Sequence, residues 1–123
     1  MLEAKRIAIV GMSDDPGRPS HGIGGYLLAH GYEVIPVNPH HGQVLGLKCY
    51  ASLAEVPGEI DLVNVFRRPE FCAAVARQAI AAGAKGIWLQ AGIRNESAQR
   101  LAAEAGVDFV QDRCIMVEHM QRR

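Results

Sequence analysis

Three times along this chain a helix-like segment closes on a glycine and a short apolar run follows at once. Ala29-His30-Gly31 precedes residues 33–37, Ala82-Gly83 precedes 86–89, and Ala105-Gly106 precedes 108–111. Glycine enters the left-handed conformation that ends a helix at little cost, so each junction reads as a helix stop followed by a strand. Two further runs, Ile7-Ala8-Ile9-Val10 and Leu62-Val63-Asn64-Val65-Phe66, add strands, and Lys48-Cys49-Tyr50 is expected as a short one. Pro69 and Glu70 open a helix through Ala82, and Asn95 caps another over 96–105. Ser52 caps a brief helix over 53–56, and the tail 112–123 carries a last short helix.

Phe71, Val75, Ala79 and Ala82 recur at spacings of three and four, as do Ala98, Leu101, Ala102 and Ala105, which marks one-sided helices lying on a sheet. Short apolar strands alternating with such helices specify an α/β chain. The expectation is a Rossmann-like three-layer fold, with a parallel sheet of five to six strands and helices on both faces. At 123 residues the chain is one domain over 1–123, and any activity has to live in one cleft or with a partner.

Charge narrows the function classes. Thirteen basic side chains balance thirteen acidic ones, so no field favours nucleic acid or an acidic membrane surface, and neither is expected as a partner. No apolar stretch approaches the roughly 20 residues of a membrane span. Met1-Leu2-Glu3-Ala4-Lys5-Arg6 runs into the first strand without a leader pattern, which predicts a cytoplasmic protein. Cys49, Cys72 and Cys114, odd in number and widely spaced, fit reduced thiols better than disulfides or a zinc site.

In a parallel sheet ligands bind beyond the carboxyl ends of the strands, so the residues following each strand carry the functional reading. The first such segment opens like a dinucleotide site and then departs from it. Gly11 supplies the tight turn, but Ser13 stands where the next glycine is expected, and a polar stretch over 13–22 precedes the helix-like segment. The second strand ends in Asn38-Pro39, where an NAD site offers a carboxylate to the ribose. These departures point to another phosphate-bearing nucleotide. Ser13 and Arg18 are candidate phosphate donors, and Gly22-Ile23-Gly24-Gly25 is expected to let backbone approach a pyrophosphate at the next helix's start.

Arg67 and Arg68, just before Pro69, suit a carboxylate or phosphate, or else a bridge to Asp14 or Asp15. His40 and His41 lie where a ribose edge would fall and tolerate a phosphorylated ribose. No nucleophile and base are fixed by spacing: Ser13 lacks a histidine, Cys114 with His119 is a weak pair, and His21 sits in the loop. No catalytic residue and no metal ligand is assigned.

Jointly these segments resemble the CoA-binding domain family, the Rossmann-like module found in the succinyl-CoA synthetase alpha subunit and as small stand-alone proteins. The resemblance rests on Ile9-Val10-Gly11-x-Ser13, Arg18-Pro19-Ser20-x-Gly22, Val34-Ile35-Pro36-Val37-Asn38-Pro39, Gly46-x-Lys48-Cys49-Tyr50, Asp61-x-Val63-x-Val65-Phe66-Arg67-Arg68, Trp88-Leu89-Gln90-x-Gly92 and Asp112-Arg113-Cys114-x-x-x-Glu118-His119. It spans nearly the whole chain in order. It implies a coenzyme A site in which the loop from Gly11 through Ser13, Arg18 and Pro19 to Gly22 holds phosphates. Val37-Asn38-Pro39 with Val65-Phe66-Arg67 would wall the adenosine, and the pantetheine arm would run toward Gln90 and Cys114.

The synthetase carries Glu-Gly near its phosphohistidine where this chain has Gln90-Ala91-Gly92, so the resemblance carries over binding and not ligation. The expectation is a protein that binds CoA or acyl-CoA without catalysis of its own. The alternatives are a subunit of an acyl-CoA ligase, which requires a protein partner, and a small NAD(P)-dependent oxidoreductase.

Overall fold

The computed structural model describes residues 1–122. Five strands form one parallel sheet: β1 (Arg6–Val10), β2 (Glu33–Val37), β5 (Leu62–Val65), β6 (Gly86–Leu89) and β7 (Asp108–Val110), in the order β2-β1-β5-β6-β7. The short strands β3 (Gln43–Val44) and β4 (Leu47–Lys48) make a separate antiparallel hairpin. Four α-helices complete the fold among the described residues: α1 (Pro19–Ala29), α2 (Cys72–Ala81), α3 (Glu96–Ala105) and α4 (Ile115–Gln121). None is long and apolar enough to cross a membrane.

The register sets Ile7, Ile9, Leu62 and Trp88 in one buried cluster with Ile23 and Leu27 of α1 and Ile115 of α4. Ala8, Val10, Val63, Val65, Ile87 and Leu89 alternate with them and meet Val75, Ala76, Ala79, Ala98 and Ala102 of α2 and α3 on the other face. Both faces of the sheet are therefore covered, as a parallel sheet requires. The alanines let α2 and α3 lie close to the strands. Asn95 caps α3 as expected, its Oδ1 accepting from the Ala98 amide at 2.8 Å.

Several expectations are corrected. The helix after β1 begins at Pro19, so Gly22-Ile23-Gly24-Gly25 lies inside α1, and the loop spans only residues 11–18. Gly24 has a packing reason, because a Cβ there would collide with the Met12 methyl; at Gly22 and Gly25 a Cβ would meet nothing. Lys48-Cys49-Tyr50 is not one strand: Lys48 ends β4 and Cys49 lies in no strand. The β3–β4 hairpin turns at Leu45 and Gly46, both at positive φ (55° and 72°), and Tyr50 makes a lone parallel bridge to Val37. That bridge covers the end of edge strand β2, where Tyr50 donates to Pro36 O at 3.0 Å and accepts from the Asn38 amide at 2.9 Å. Phe71, expected in the core, is exposed in the 3-10 turn Pro69–Phe71 that precedes α2, and Ala82 is only half-buried.

Candidate functional site

The strand order reverses at β1: β2 lies on one side of it and β5 on the other, which opens a crevice at their carboxyl ends. A cleft of about 490 Å³ occupies that position, lined by Val10, Gly11, Val37, Asn38, Pro39, His40, Ala51, Ser52, Phe66, Arg67, Phe71, Ala74, Val75 and Gln78. Of the residues expected to hold a ligand, Gly11, Val37, Asn38, Pro39, Phe66 and Arg67 thus meet at one cleft. Val65, the last residue of β5, is fully buried and does not line it.

Gly11 turns at φ +84°, with its amide donating to Val37 O at 2.8 Å. A Cβ at this position would stand 2.5 Å from Phe66 O and 3.1 Å from Arg67 Cδ, so the backbones after β1 and β5 approach as closely as glycine permits. Asn38 ties the other pair of loops together. Its Nδ2 donates to Met12 O at 3.1 Å, and its Oδ1 accepts from the His40 amide at 2.9 Å. The Arg67 guanidinium lies 4.6 Å from the centre of the Phe71 ring, on the α2 side of the cleft. Among the described residues no carboxylate pairs with Arg18, Arg67 or Arg68. The alternative of a bridge from Arg67 or Arg68 to Asp14 or Asp15 is therefore absent, and Asp14 instead lies 3.5 Å from His41 Nδ1.

The loop before α1 satisfies much of its own backbone. Ser20 Oγ accepts from the Ser13 amide at 2.9 Å, Ser13 Oγ from the Asp15 amide at 3.0 Å, and Asp15 Oδ1 from the Gly17 amide at 2.9 Å. Pro19 has no N–H, and the His21 and Gly22 amides donate to Arg18 O. An anion at this end would be met chiefly by side chains, above all the exposed Arg18. Gly22 lies on the exposed side of α1, and Arg68 precedes the Pro69 turn with its carbonyl accepting from the Phe71 amide at 2.9 Å.

Gln90 is placed differently from the rest. It is 4% exposed, and its Oε1 accepts from Asn64 Nδ2 at 3.2 Å and from the Ile115 amide at 3.0 Å. Two places along the strand from it, Trp88 donates through Nε1 to Arg113 O at 2.8 Å. Two buried side chains, one in β6 and one just after it, thus grip the backbone on either side of the half-buried Cys114. Asp112, at φ +58°, accepts from the Gly92 amide at 2.7 Å and from Arg94 Nε at 3.1 Å. Those bonds hold its carboxyl below the ordinary carboxylate range. Cys72, fully buried at the start of α2, reaches toward the Arg67 and Arg68 carbonyls, and burial pushes its thiol up. His119 Nδ1 lies 2.7 Å from the Tyr26 hydroxyl, so this histidine belongs to the α1–α4 contact.

Ala51, Ser52, Phe71, Ala74 and Gln78 were not expected at the site. Phe71, Ala74 and Gln78 recur at three- and four-residue steps, a stripe running from the turn before α2 into the helix beside the core-facing Val75, and Phe71 is four residues after Arg67. That stripe was the available signal. A second hollow, of about 680 Å³, lies at the amino ends of the strands. Its charges answer one another, with Arg6 on Glu33 at 2.8 Å and Lys85 on Asp61 at 3.4 Å.

A family model described as "CoA binding domain" matches residues 5–120. The uncharacterized protein YneT of Bacillus subtilis is 45% identical over 119 residues, covering 97% of this chain and 88% of that one. The alpha subunit of acetate–CoA ligase [ADP-forming] II of Pyrococcus furiosus is 35% identical over 82 residues, 66% of this chain but only 17% of the subunit. Among solved structures, a hypothetical protein from Pyrococcus horikoshii OT3 superposes with a TM-score of 0.94 at 43% identity, over 97% of this chain and 84% of that chain.

Proposed function

The chain belongs to the CoA binding domain family, and on that premise we propose that it binds coenzyme A or an acyl-CoA at the carboxyl ends of β1, β2 and β5. The observation that carries this reading is the cleft at the reversal of strand order. Gly11 brings the backbones together there, and Arg67 stands at its wall with no carboxylate partner among the described residues. An unpaired guanidinium beside an apolar slot suits an anionic nucleotide. The adenosine lies against Val37, Pro39 and Phe66, and Arg18 and Arg67 meet phosphates. The pantetheine arm runs past β6 toward Cys114, along a path that Gln90 shapes from below by holding Ile115 rather than by touching the ligand.

Titration calorimetry of the purified chain with CoA and with NADH tests the reading. CoA is expected to bind at micromolar or lower concentration, and Arg67→Ala to weaken it about tenfold or more, the range for a lost charge-assisted hydrogen bond. Binding of NADH with no heat from CoA would overturn it. The Asn38 carboxamide, occupied in joining two loops, offers no carboxylate to an NAD ribose.

A second reading follows from the similarity to a ligase alpha subunit. On this reading the chain is one component of an acyl-CoA ligase and works with an ATP-binding partner. Co-purification of such a partner, and CoA-dependent ATP turnover only when both are present, is its signature.

A further inference from the structure

The loops after β1 and β2 meet twice. Nearer the sheet, Asn38 Nδ2 donates to Met12 O; further out, Asp14 Oδ2 lies 3.5 Å from His41 Nδ1. The outer contact joins a carboxylate to an imidazole at the place where the loop after β1 needs side-chain donors. The amides of Ser13, Asp15 and Gly17 are already bonded to side-chain oxygens. His41 is three-quarters buried, so its ring is held, whereas Asp14 is 60% exposed and leaves for water at little cost.

We propose that His41 is a phosphate-binding residue of this site and that Asp14 is its resident competitor, so that ligand binding exchanges one oxyanion on the imidazole for another. The inference rests on the CoA reading above. The carboxylate holds the ring facing the loop while the site is empty, and an arriving phosphoryl oxygen takes its place. Asp14 thereby lowers affinity by a small factor, which a more strongly charged oxyanion offsets best. The phosphoryl group belongs either to the diphosphate or to the ribose phosphate of CoA, and the chemistry at Nδ1 is the same for both.

A double-mutant cycle read by calorimetry tests this. Asp14→Asn in the wild-type background is expected to tighten CoA binding about two- to fivefold, the scale of one exposed ion pair removed. His41→Ala alone should weaken CoA, and in that background Asp14→Asn should lose most of its gain. Dephospho-CoA separates the two sources: coupling that persists assigns the phosphate to the diphosphate, and coupling that vanishes assigns it to the ribose phosphate. An unchanged or weaker affinity for Asp14→Asn overturns the proposal, as does a gain of the same size with and without His41, which would reduce Asp14 to general repulsion. A wild-type chain that binds no CoA overturns the CoA reading and takes this inference with it. Binding by the wild type without coupling removes only the inference.

Discussion

Gly11 is where conformation and contact coincide. Its φ of +84° strains any L side chain, and a Cβ would press 2.5 Å from Phe66 O, which is main chain and cannot rotate away. Gly11→Ala is therefore expected to destabilise the fold by about 1–3 kcal/mol and to push apart the loops after β1 and β5. Urea unfolding checks the first effect and CoA calorimetry the second. A variant with wild-type stability and affinity would show that the close approach is dispensable. The leading glycine was legible in the sequence because its reason is local. Gly24 was not, since its reason is the Met12 methyl that only the folded chain brings beneath it. Phe71 was misplaced by periodicity for a related cause: a 3-10 turn precedes α2, and its side chain rotates off the buried face onto the rim of the cleft beside Arg67.

At the scale of elements, the strands of the parallel sheet and the caps were readable, because apolar runs, Asn95 and the terminal glycines act over a few residues. The start of α1 was not. Glycine at three of its positions opposes helix formation, and burial of Ile23 and Leu27 against the sheet overrides that propensity. Nor could sequence show that Gln90 is a strut. It sits after β6 like a ligand residue, yet it points inward and joins β5, β6 and α4 through Asn64 and the Ile115 amide. Asn64 Oδ1, fully buried, has no partner among the described residues, so this polar contact has no reserve. Gln90→Ala would strand two buried donors, Asn64 Nδ2 and the Ile115 amide. The expected cost is about 2–4 kcal/mol, seen in chemical denaturation as a lower midpoint at an unchanged slope. A loss under half a kcal/mol would mean that α4 docks without it.

Across the whole molecule the cleft and the hollow at the other end of the sheet differ in how their cations are met. Beyond the carboxyl ends of β1 and β5, Arg18, Arg67 and Arg68 have no carboxylate partner among the described residues, whereas at the amino ends Arg6 and Lys85 are bonded to theirs, and Arg6 also donates to the Glu59 and Pro57 carbonyls. The sequence shows charges near strand ends but does not tell paired cations from unpaired ones, since pairing depends on which loops the strand order makes neighbours. Asp61 anchors the closed end. The Arg6 amide donates to its carboxylate at 2.9 Å, the Lys5 amide at 3.1 Å, and Lys85 stands near, which together lower its pKa from the ordinary 3.8. A carboxyl with a depressed folded pKa contributes stability that is fully present above the unfolded value and is lost as pH falls through the folded one. Asp61→Asn should thus be less stable than wild type at pH 7, with the gap closing below about pH 4 in urea midpoints taken along a pH series. A gap of constant size would remove Asp61 from the acid transition.

The chain has one tryptophan, Trp88, and the hydrogen bond from its indole to Arg113 O makes that buried ring a built-in optical gauge of the segment around Cys114. A ligand arm that shifts this segment changes the indole's polar partner and with it the emission, whereas a ligand confined to the cleft beside Arg67 leaves the signal still. Emission and calorimetry followed on one sample would separate the two halves of a long ligand without any label.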